Sequence, residues 1–240
     1  RLLRPCGGIL AFCSPPGKDQ DEAARQVDAW MKKTGGASQD ISGAGRDLWI
    51  HRRKPLPGAG DWNHQYGNPD NSACNYDQRV AGKLRVQWWG RPGPRAMPDR
   101  GPRNPAPVSA NGRLFVQGMR VLFGIDAYNG TKLWEYPLPG ILRAYHGDDL
   151  MGTSGTGSNY CISDDSVYVR RDDHCLRIDI KTGKLVKKLS APKAANGKPG
   201  TWAYIAFSEG QLFGSLANPE HVVTYRFRPG GNMKKQLTES

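Results

Sequence analysis

A pattern that occurs twice in the second half of the chain constrains the fold more than any other feature. Residues 167–185 (VYVRRDDHCLRIDIKTGKL) predict a short strand, a polar turn, a second strand, and then a tight turn that leads into a third strand. Within the second strand apolar and polar residues alternate, as they do in a strand with one buried face. Residues 114–133 follow the same plan. A unit that recurs along a chain predicts a repeat architecture.

Three such units are predicted between residue 106 and the end of the chain. The first has strands near 106–110, 113–118, 121–127 and 131–136, and the second near 157–163, 166–171, 174–180 and 184–189. The third has strands near 201–208, 211–216 and 221–228. Four antiparallel strands in about 40–50 residues is the size of a β-propeller blade. The predicted fold is therefore mainly β, a partial β-propeller of about three blades.

Five residues of the repeated turn are predicted to be structural. An aspartate at the start of each turn, Asp126 or Asp179, can accept hydrogen bonds from backbone N–H groups. A glycine four residues later, Gly130 or Gly183, can take the positive φ that a bulged hairpin requires. Trp134 follows the first turn and is expected to pack between blades.

With this turn, the repeat resembles the pyrroloquinoline-quinone (PQQ) type of propeller repeat over residues 61–228. The segment from Trp62 to Pro69 is similar to the opening segment of such propellers, and a strand predicted over Leu84–Trp89 would be an outer strand that closes the ring. The resemblance implies seven or eight blades, so the partners of this chain would include the remaining blades. It also implies PQQ and Ca²⁺ as cofactors of the dehydrogenases in the family.

The first 55 residues predict a different, α/β segment. A buried strand follows the turn in residues 3–8, a helix is predicted over 19–34, and a strand over 47–53. The motifs LRPCGGIL and LWIHRRKP resemble the C-terminal end of a class I S-adenosylmethionine-dependent methyltransferase. That family binds its cofactor on earlier strands. The expected organisation is a methyltransferase remnant at 1–55, a linker at 56–60 and a propeller at 61–240, as in a fragment of a larger protein.

Charge and cysteine content exclude several classes of function. The formal charge is +12, but the basic residues are spread along the chain, which does not favour a nucleic-acid partner. Five cysteines without a CxxC pair do not fit zinc or thioredoxin-type sites. Cys161 and Cys175 are placed on neighbouring strands, so they are either buried free thiols, which we favour, or a disulfide. No stretch approaches the ~18 apolar residues of a membrane helix.

A few residues suggest chemistry, and each has a simpler interpretation. His64 has no partner at useful spacing and is expected at a strand edge. Trp88–Trp89 would stack on a quinone or pack on an outer strand. Asp164–Asp165 and Asp172–Asp173 would bind a cation or lie in solvated turns, and Gly152–Gly157 would bind phosphate or connect strands. The sequence therefore predicts no catalytic residue and no metal ligand, and it leaves cofactor-binding residues open.

Three functions remain open on this basis. The favoured one is a non-catalytic propeller segment that binds a protein partner or serves as a scaffold. The second is part of a PQQ-dependent dehydrogenase, although the adjacent cysteine pair of that family is absent. The third is a methyltransferase–propeller fusion whose S-adenosylmethionine site lies outside this sequence. The propeller resemblance favours a periplasmic or other extracytoplasmic location.

Overall fold

The computed structural model describes residues 3–13, 20–33, 38–40, 48–90, 106–118, 120–139, 141, 160–171 and 173–217. These residues belong to two compact units. The first unit contains residues 1–59 and 77–82, and the second contains residues 60–76 and 83–240. No helix among the described residues is long and apolar enough to cross a membrane.

The first unit is a small α/β structure. Its elements are β1 (Ile9–Cys13), α1 (Gln20–Lys33), β2 (Ser38–Asp40) and β3 (Leu48–Arg53). β3 lies between β1 and β2 and is antiparallel to both. The predicted helix is present as α1, with acidic residues in its first turn and basic residues in its last turn, where they favour the helix dipole. Trp30 of this helix is 45% exposed.

The second unit consists of β-sheets built to one plan. The first sheet contains β4 (Val108–Ala110), β5 (Arg113–Gln117), β6 (Val121–Asp126) and β7 (Lys132–Pro137). The second contains β8 (Tyr160–Ile162), β9 (Ser166–Arg171), β10 (His174–Asp179) and β11 (Leu185–Ser190), and β12 (Thr201–Ser208) pairs with β13 (Gln211–Ala217). Strands pair antiparallel in chain order within each sheet. The predicted mainly β fold with four-stranded units is confirmed.

Apolar side chains between successive sheets form the core. The largest cluster combines residues of the first and second sheets, including Phe115, Leu122, Val169 and Ile178, all at most 2% exposed. A second cluster lies between the second sheet and the β12–β13 hairpin and is centred on Ile205. The sheets are therefore stacked face to face, as blades are. Neither the strand predicted at 221–228 nor the loop Gly152–Gly157 lies within the described residues.

Trp134 joins the first sheet to the second. Its ring lies 5.7 Å from that of Phe115, and its Nε1–H donates to the carbonyl of Ile180 at 3.1 Å. The ring also covers Gly183, where an added Cβ would lie 2.6 Å from a ring atom. The tryptophan is thus both buried and hydrogen-bonded, which a buried indole requires.

The prediction of a strand over Leu84–Trp89 is wrong, because these residues pair with no other described strand. Residues 83–90 belong to no helix or strand, and no backbone hydrogen bond joins residues 84–89 to another described residue. A β-strand is defined by its backbone hydrogen bonds to a neighbouring strand. The local sequence pattern does not show whether such a neighbour is present. Trp88 nevertheless packs on the far face of the first sheet, against Val116, Phe123 and Ile125.

The placement of Cys161 and Cys175 on neighbouring strands is also wrong. Cys161 lies on β8 and Cys175 on β10, and β9 runs between them. Two strand spacings amount to about 9.5 Å, beyond the roughly 7 Å that a disulfide spans between Cα atoms. Both residues are buried free thiols, and burial raises the pKa of the Cys175 thiol to about 12.

Replacing Gly183 tests how much the tryptophan contact stabilises the stack. Gly183→Ala adds a methyl group against the Trp134 ring, at a residue with φ of +70°. Gly197→Ala is the matched control, because Gly197 has φ of +77° and open space around it. The control should cost about 1–2 kcal/mol from φ alone, and Gly183→Ala a further ~1–3 kcal/mol from overpacking. Urea denaturation measures both, and equal losses would contradict a role for the contact.

Candidate functional site

One short segment contacts all three sheets at their inner edges. We call residues 61–67 the axial segment. Trp62 exchanges two backbone hydrogen bonds with Ser109 of β4, at 2.8 and 2.7 Å. The carbonyl of Asn63 accepts from the N–H of Ile162 on β8 at 3.0 Å. The next contact, from His64, reaches the third sheet, so consecutive residues bind consecutive sheets.

His64 binds the third sheet through its side chain. Its Nε2 accepts from the backbone N–H of Phe207 on β12 at 3.0 Å, and its Nδ1 lies 2.6 Å from Oδ1 of Asn63. Because Nε2 accepts, the proton of the neutral ring is on Nδ1 and is donated to Asn63. The residue is 1% exposed, and this burial lowers its pKa from 6.5 to about 4, against the opposing effect of Asp70. His64 is therefore neutral at physiological pH.

A tight turn holds this histidine in place. His64 and Gly67 form a two-residue bridge, with backbone hydrogen bonds of 3.2 and 3.1 Å. Gly67 has φ of +89°, and an added Cβ would lie 2.8 Å from the carbonyl oxygen of Cys74. Further along, the side-chain amide of Asn71 donates to the hydroxyl of Tyr204 on β12 at 3.0 Å. The turn thus returns the chain to the third sheet a second time.

A cleft opens beside the axial segment where the turns of the three sheets converge. We call it the axial cleft; its volume is about 350 Å³. Apolar side chains of Ile162 and Phe207 form part of its wall. Its other lining residues are mostly small or polar: Asp61, Asn63, Pro69, Ala110, Ser163, Asp164, Ser208, Glu209 and Gly210. Three carboxylates, one from the axial segment and two from inter-strand turns, make the cleft acidic within a basic chain.

Burial and a neighbouring carboxylate both act on Asp61. Burial raises the pKa of Asp61, and the charge of Asp164 raises it further, whereas the hydrogen bond from the N–H of Asn111 opposes both. The neighbouring Asp165 points to other partners. It accepts from the Ser163 hydroxyl at 2.9 Å and pairs with Arg177 at 2.8 Å, and hydrogen bonds from serine hydroxyls are the main reason that its pKa is lowered.

The repeated turn residues occupy equivalent positions in the first and second sheets. Asp126 Oδ1 accepts from the N–H of Tyr128 at 2.9 Å, and Asp179 Oδ1 accepts from the N–H of Thr182 at 2.7 Å. Gly130 and Gly183 have φ of +74° and +70°. Hydrogen bonding by Thr182 lowers the pKa of Asp179. Both aspartates hold a turn.

The described residues do not fit a quinone and its Ca²⁺. Trp88 already has contacts on its ring face and at its ring nitrogen. The ring covers Gly130, and Nε1–H donates to the carbonyl of Ala127 at 2.9 Å. Trp89 is 94% exposed, so it does not lie in an enclosed site. No group of three histidine, cysteine or carboxylate side chains in the described part of the chain is arranged to hold a metal ion.

The other residues singled out from the sequence have different surroundings from those predicted, or lie outside the described residues. Asp172 lies outside the described residues, and Asp173 accepts from His174 at 2.7 Å. His64 was expected at a strand edge without a partner, which is wrong, because it is buried and bonded to Phe207, 143 residues away. The sequence also gave no indication of Glu209 in the cleft. The similarity of Trp62–Pro69 to the opening segment of propellers was the local sign of the axial segment.

Comparison with known proteins returns structural similarity only. No protein-family model and no curated protein matches the chain. The structure is similar to quinohemoprotein alcohol dehydrogenase ADHIIG from Pseudomonas putida HK5, with 19% identity, coverage of 64% of this chain and 22% of that chain, and a TM-score of 0.42. For a europium-containing methanol dehydrogenase the corresponding values are 13%, 66%, 27% and 0.40. For BamB from Moraxella catarrhalis they are 14%, 46%, 29% and 0.31.

This chain spans less than a third of the length of each of these three proteins. The fold assignment rests on the strand order and packing described above.

The state of His64 predicts a pH dependence of stability. Between pH 6.5 and about 4 the unfolded chain binds a proton at this residue that the folded chain excludes. Stability should therefore fall as the pH is lowered through this window, by about 1.4 kcal/mol per pH unit from this group. Above pH 6.5 the residue should have no effect.

His64→Gln keeps an acceptor for the N–H of Phe207 and removes the titration. Its unfolding free energy, measured in urea at pH 7, 6 and 5, should fall less steeply than that of the unmodified chain. His174→Gln is the control, because the His174 side chain is 25% exposed and pairs with Asp173. Parallel profiles for all three proteins would show that His64 is not excluded from protonation.

Proposed function

We propose that the chain is a non-catalytic β-propeller segment that acts as a binding or scaffold module within a larger protein. The observation that supports this most directly is the use of its reactive side chains in structure. His64 accepts a backbone N–H, and Asp126 and Asp179 hold turns. Its partners would be the remaining propeller blades and a second protein. The repeat resemblance supports an extracytoplasmic location.

The axial cleft is the surface of this module that a ligand would meet. Its walls come from all three sheets, so that it exists only when the blades are stacked. The axial segment fixes the relative positions of the inner strands through backbone hydrogen bonds and the His64 side chain, contacts that any partner would find preformed. A preformed site reduces the entropy that is lost on binding. This arrangement supports a binding role.

A methyltransferase–propeller fusion is our proposal for the domain context. In the first unit β3 pairs antiparallel with β2, which agrees with the final hairpin that the resemblance implies. Residues 1–55 would then be the end of a transferase domain whose S-adenosylmethionine site lies on strands outside this sequence. Methyl-donor binding by a chain that includes those strands would separate this context from a free-standing propeller.

A quinone-binding test distinguishes the module from a dehydrogenase. With PQQ and Ca²⁺ added together, we expect no chromophore retained after gel filtration and an unchanged melting temperature. A ligand present at 100 times its Kd would stabilise the folded chain by about 2.7 kcal/mol, which thermal melting detects readily.

A shift in melting temperature would contradict the proposal. Asp164→Asn and Glu209→Gln would then show whether the cleft is responsible, because both residues line it. Asp173→Asn is the matched control, since Asp173 does not line the cleft and is bonded to His174. Loss of the shift in the first two variants alone would assign the cofactor to the axial cleft.

A further inference from the structure

A run of the chain with six lysines and no carboxylate lies at the outer edge of the second sheet. It extends over residues 181–198 (KTGKLVKKLSAPKAANGK) and includes the whole of β11. β11 is the edge strand of its sheet and the strand farthest from β8. We call the six exposed side chains the lysine strip: Lys181, Lys184, Lys187, Lys188, Lys193 and Lys198. Their six charges equal half of the net formal charge of the chain, +12.

The equivalent strand of the first sheet, β7, carries no net charge. There the docked Trp134 is followed by Glu135, which pairs with Lys132 at 2.6 Å. The strand registers place Lys187 and Lys188 of β11 at the positions of Trp134 and Glu135. β11 thus has one cation in place of the indole that docks on the next sheet, and a second in place of the carboxylate that neutralises β7. The packing of successive sheets accounts for neither lysine.

Carboxylates of the second sheet are paired with other side chains. Asp165 binds Arg177 at 2.8 Å, and Asp173 binds His174 at 2.7 Å. Lys187 lies opposite Arg177 in the strand register, and like charges in this position destabilise an antiparallel pair. Four members of the lysine strip form no salt bridge with a described carboxylate: Lys184, Lys187, Lys188 and Lys193. The strip therefore carries positive charge that the described part of the fold does not neutralise.

The turn that follows β11 has a defined backbone, and it carries the last two lysines. The N–H of Ala194 donates to the carbonyl of Lys198 at 2.9 Å. At the base of the turn Gly200 lies against Pro192, where an added Cβ would be 2.0 Å from the carbonyl oxygen. Lysines on an edge strand also keep other strands from pairing with it. Since Lys193 and Lys198 lie beyond the strand, protection of the edge does not explain the whole strip.

The composition of the strip indicates which anion it fits. It contains no arginine, whose planar fork recognises single phosphates and carboxylates, whereas lysine acts as a point charge. Lysine is also depleted from interfaces between proteins. Between the lysines, Leu185 and Val186 are 40% and 55% exposed. Cations beside exposed apolar side chains match a bilayer, which offers anionic head groups and an apolar phase next to them. A nucleic-acid backbone offers the charge alone.

We propose that the lysine strip attaches the chain to the surface of an anionic lipid bilayer. The ammonium groups bind phosphate head groups, and Val186 enters the boundary of the acyl chains. Each lysine at such a surface strengthens binding about fivefold. The attraction acts within about 8 Å at physiological ionic strength, so that it is confined to the edge that carries the strip. The inference goes beyond the proposed binding role and does not involve the axial cleft.

Sedimentation of the full chain with lipid vesicles measures the attachment. The vesicles contain about 30% phosphatidylglycerol in phosphatidylcholine, at about 0.15 M salt. We expect binding to these vesicles and none to phosphatidylcholine alone. Replacing two charges, with Lys187→Gln and Lys188→Gln together, should weaken binding about 25-fold, as two factors of five predict. The matched control is Lys32→Gln with Lys33→Gln, an adjacent exposed pair at the end of α1, which should weaken it less than about threefold.

A second variant tests the apolar part of the contact. Val186→Thr keeps a β-branched side chain on the strand and replaces one methyl group by a hydroxyl. It should weaken binding to the anionic vesicles about fourfold, which corresponds to the transfer of one buried methylene-sized group. If the double lysine variant does not fold, the two lipid compositions and Val186→Thr decide the proposal.

Three results would overturn the proposal. The first is equal binding to vesicles with and without phosphatidylglycerol, because charge would then play no part. The second is an equal loss in the two double lysine variants, which would assign the binding to net charge instead of the strip. The third is tighter binding of a DNA duplex or of polyglutamate than of the vesicles at equal anion concentration, which would identify a different partner. Each leaves the quinone test unaffected, so the two proposals fail separately.

Discussion

The structure of the second unit depends on the satisfaction of inner-strand backbone groups by residues 61–64. Buried N–H and C=O groups must find partners, and the innermost strand of each sheet has a neighbour on one side only. Ser109, Ile162 and Phe207 find theirs in the axial segment, which is distant in sequence from each of them. Three sheets that share no strand are thereby fixed in relative position by one stretch of chain. Each of these hydrogen bonds has a defined direction and length. They therefore define how the sheets stack, in addition to the burial of apolar side chains between them.

At the outer ends of the sheets the constraint is of a different kind. A tryptophan covers the turn glycine of the next sheet and donates to a carbonyl in that turn, at Trp88 and again at Trp134. The second sheet has Lys187 at this position, and its junction with the hairpin uses Trp202 of β12, which donates to the carbonyl of Leu189 at 3.3 Å. At that junction the tryptophan therefore comes from the later sheet and docks on the earlier one, whereas Trp134 comes from the earlier sheet and docks on the later one. Sequence periodicity alone would not distinguish the two arrangements, because both bury one indole between two sheets.

The sequence predicts what is local and misses what depends on distant neighbours. The turn at Asp179 could be predicted because aspartate and glycine act within five residues of chain. A strand was predicted at Leu84–Trp89, but pairing requires a partner that the local sequence does not reveal. His64 was judged by the spacing of nearby residues, whereas its partner is the N–H of Phe207. The axial cleft was missed altogether because its carboxylates come from separate turns that only stacking brings together.

Docking of a tryptophan and pairing of its strand are separate contributions to the way the sheets are held. Trp88 makes the same contacts as Trp134, although residues 84–89 form no backbone hydrogen bond with another described residue, whereas Trp134 lies on the paired strand β7. The tryptophan contact therefore forms without the ladder. The indole needs only the turn glycine and a turn carbonyl of the next sheet, and both are supplied by residues within five positions of Asp126 or Asp179.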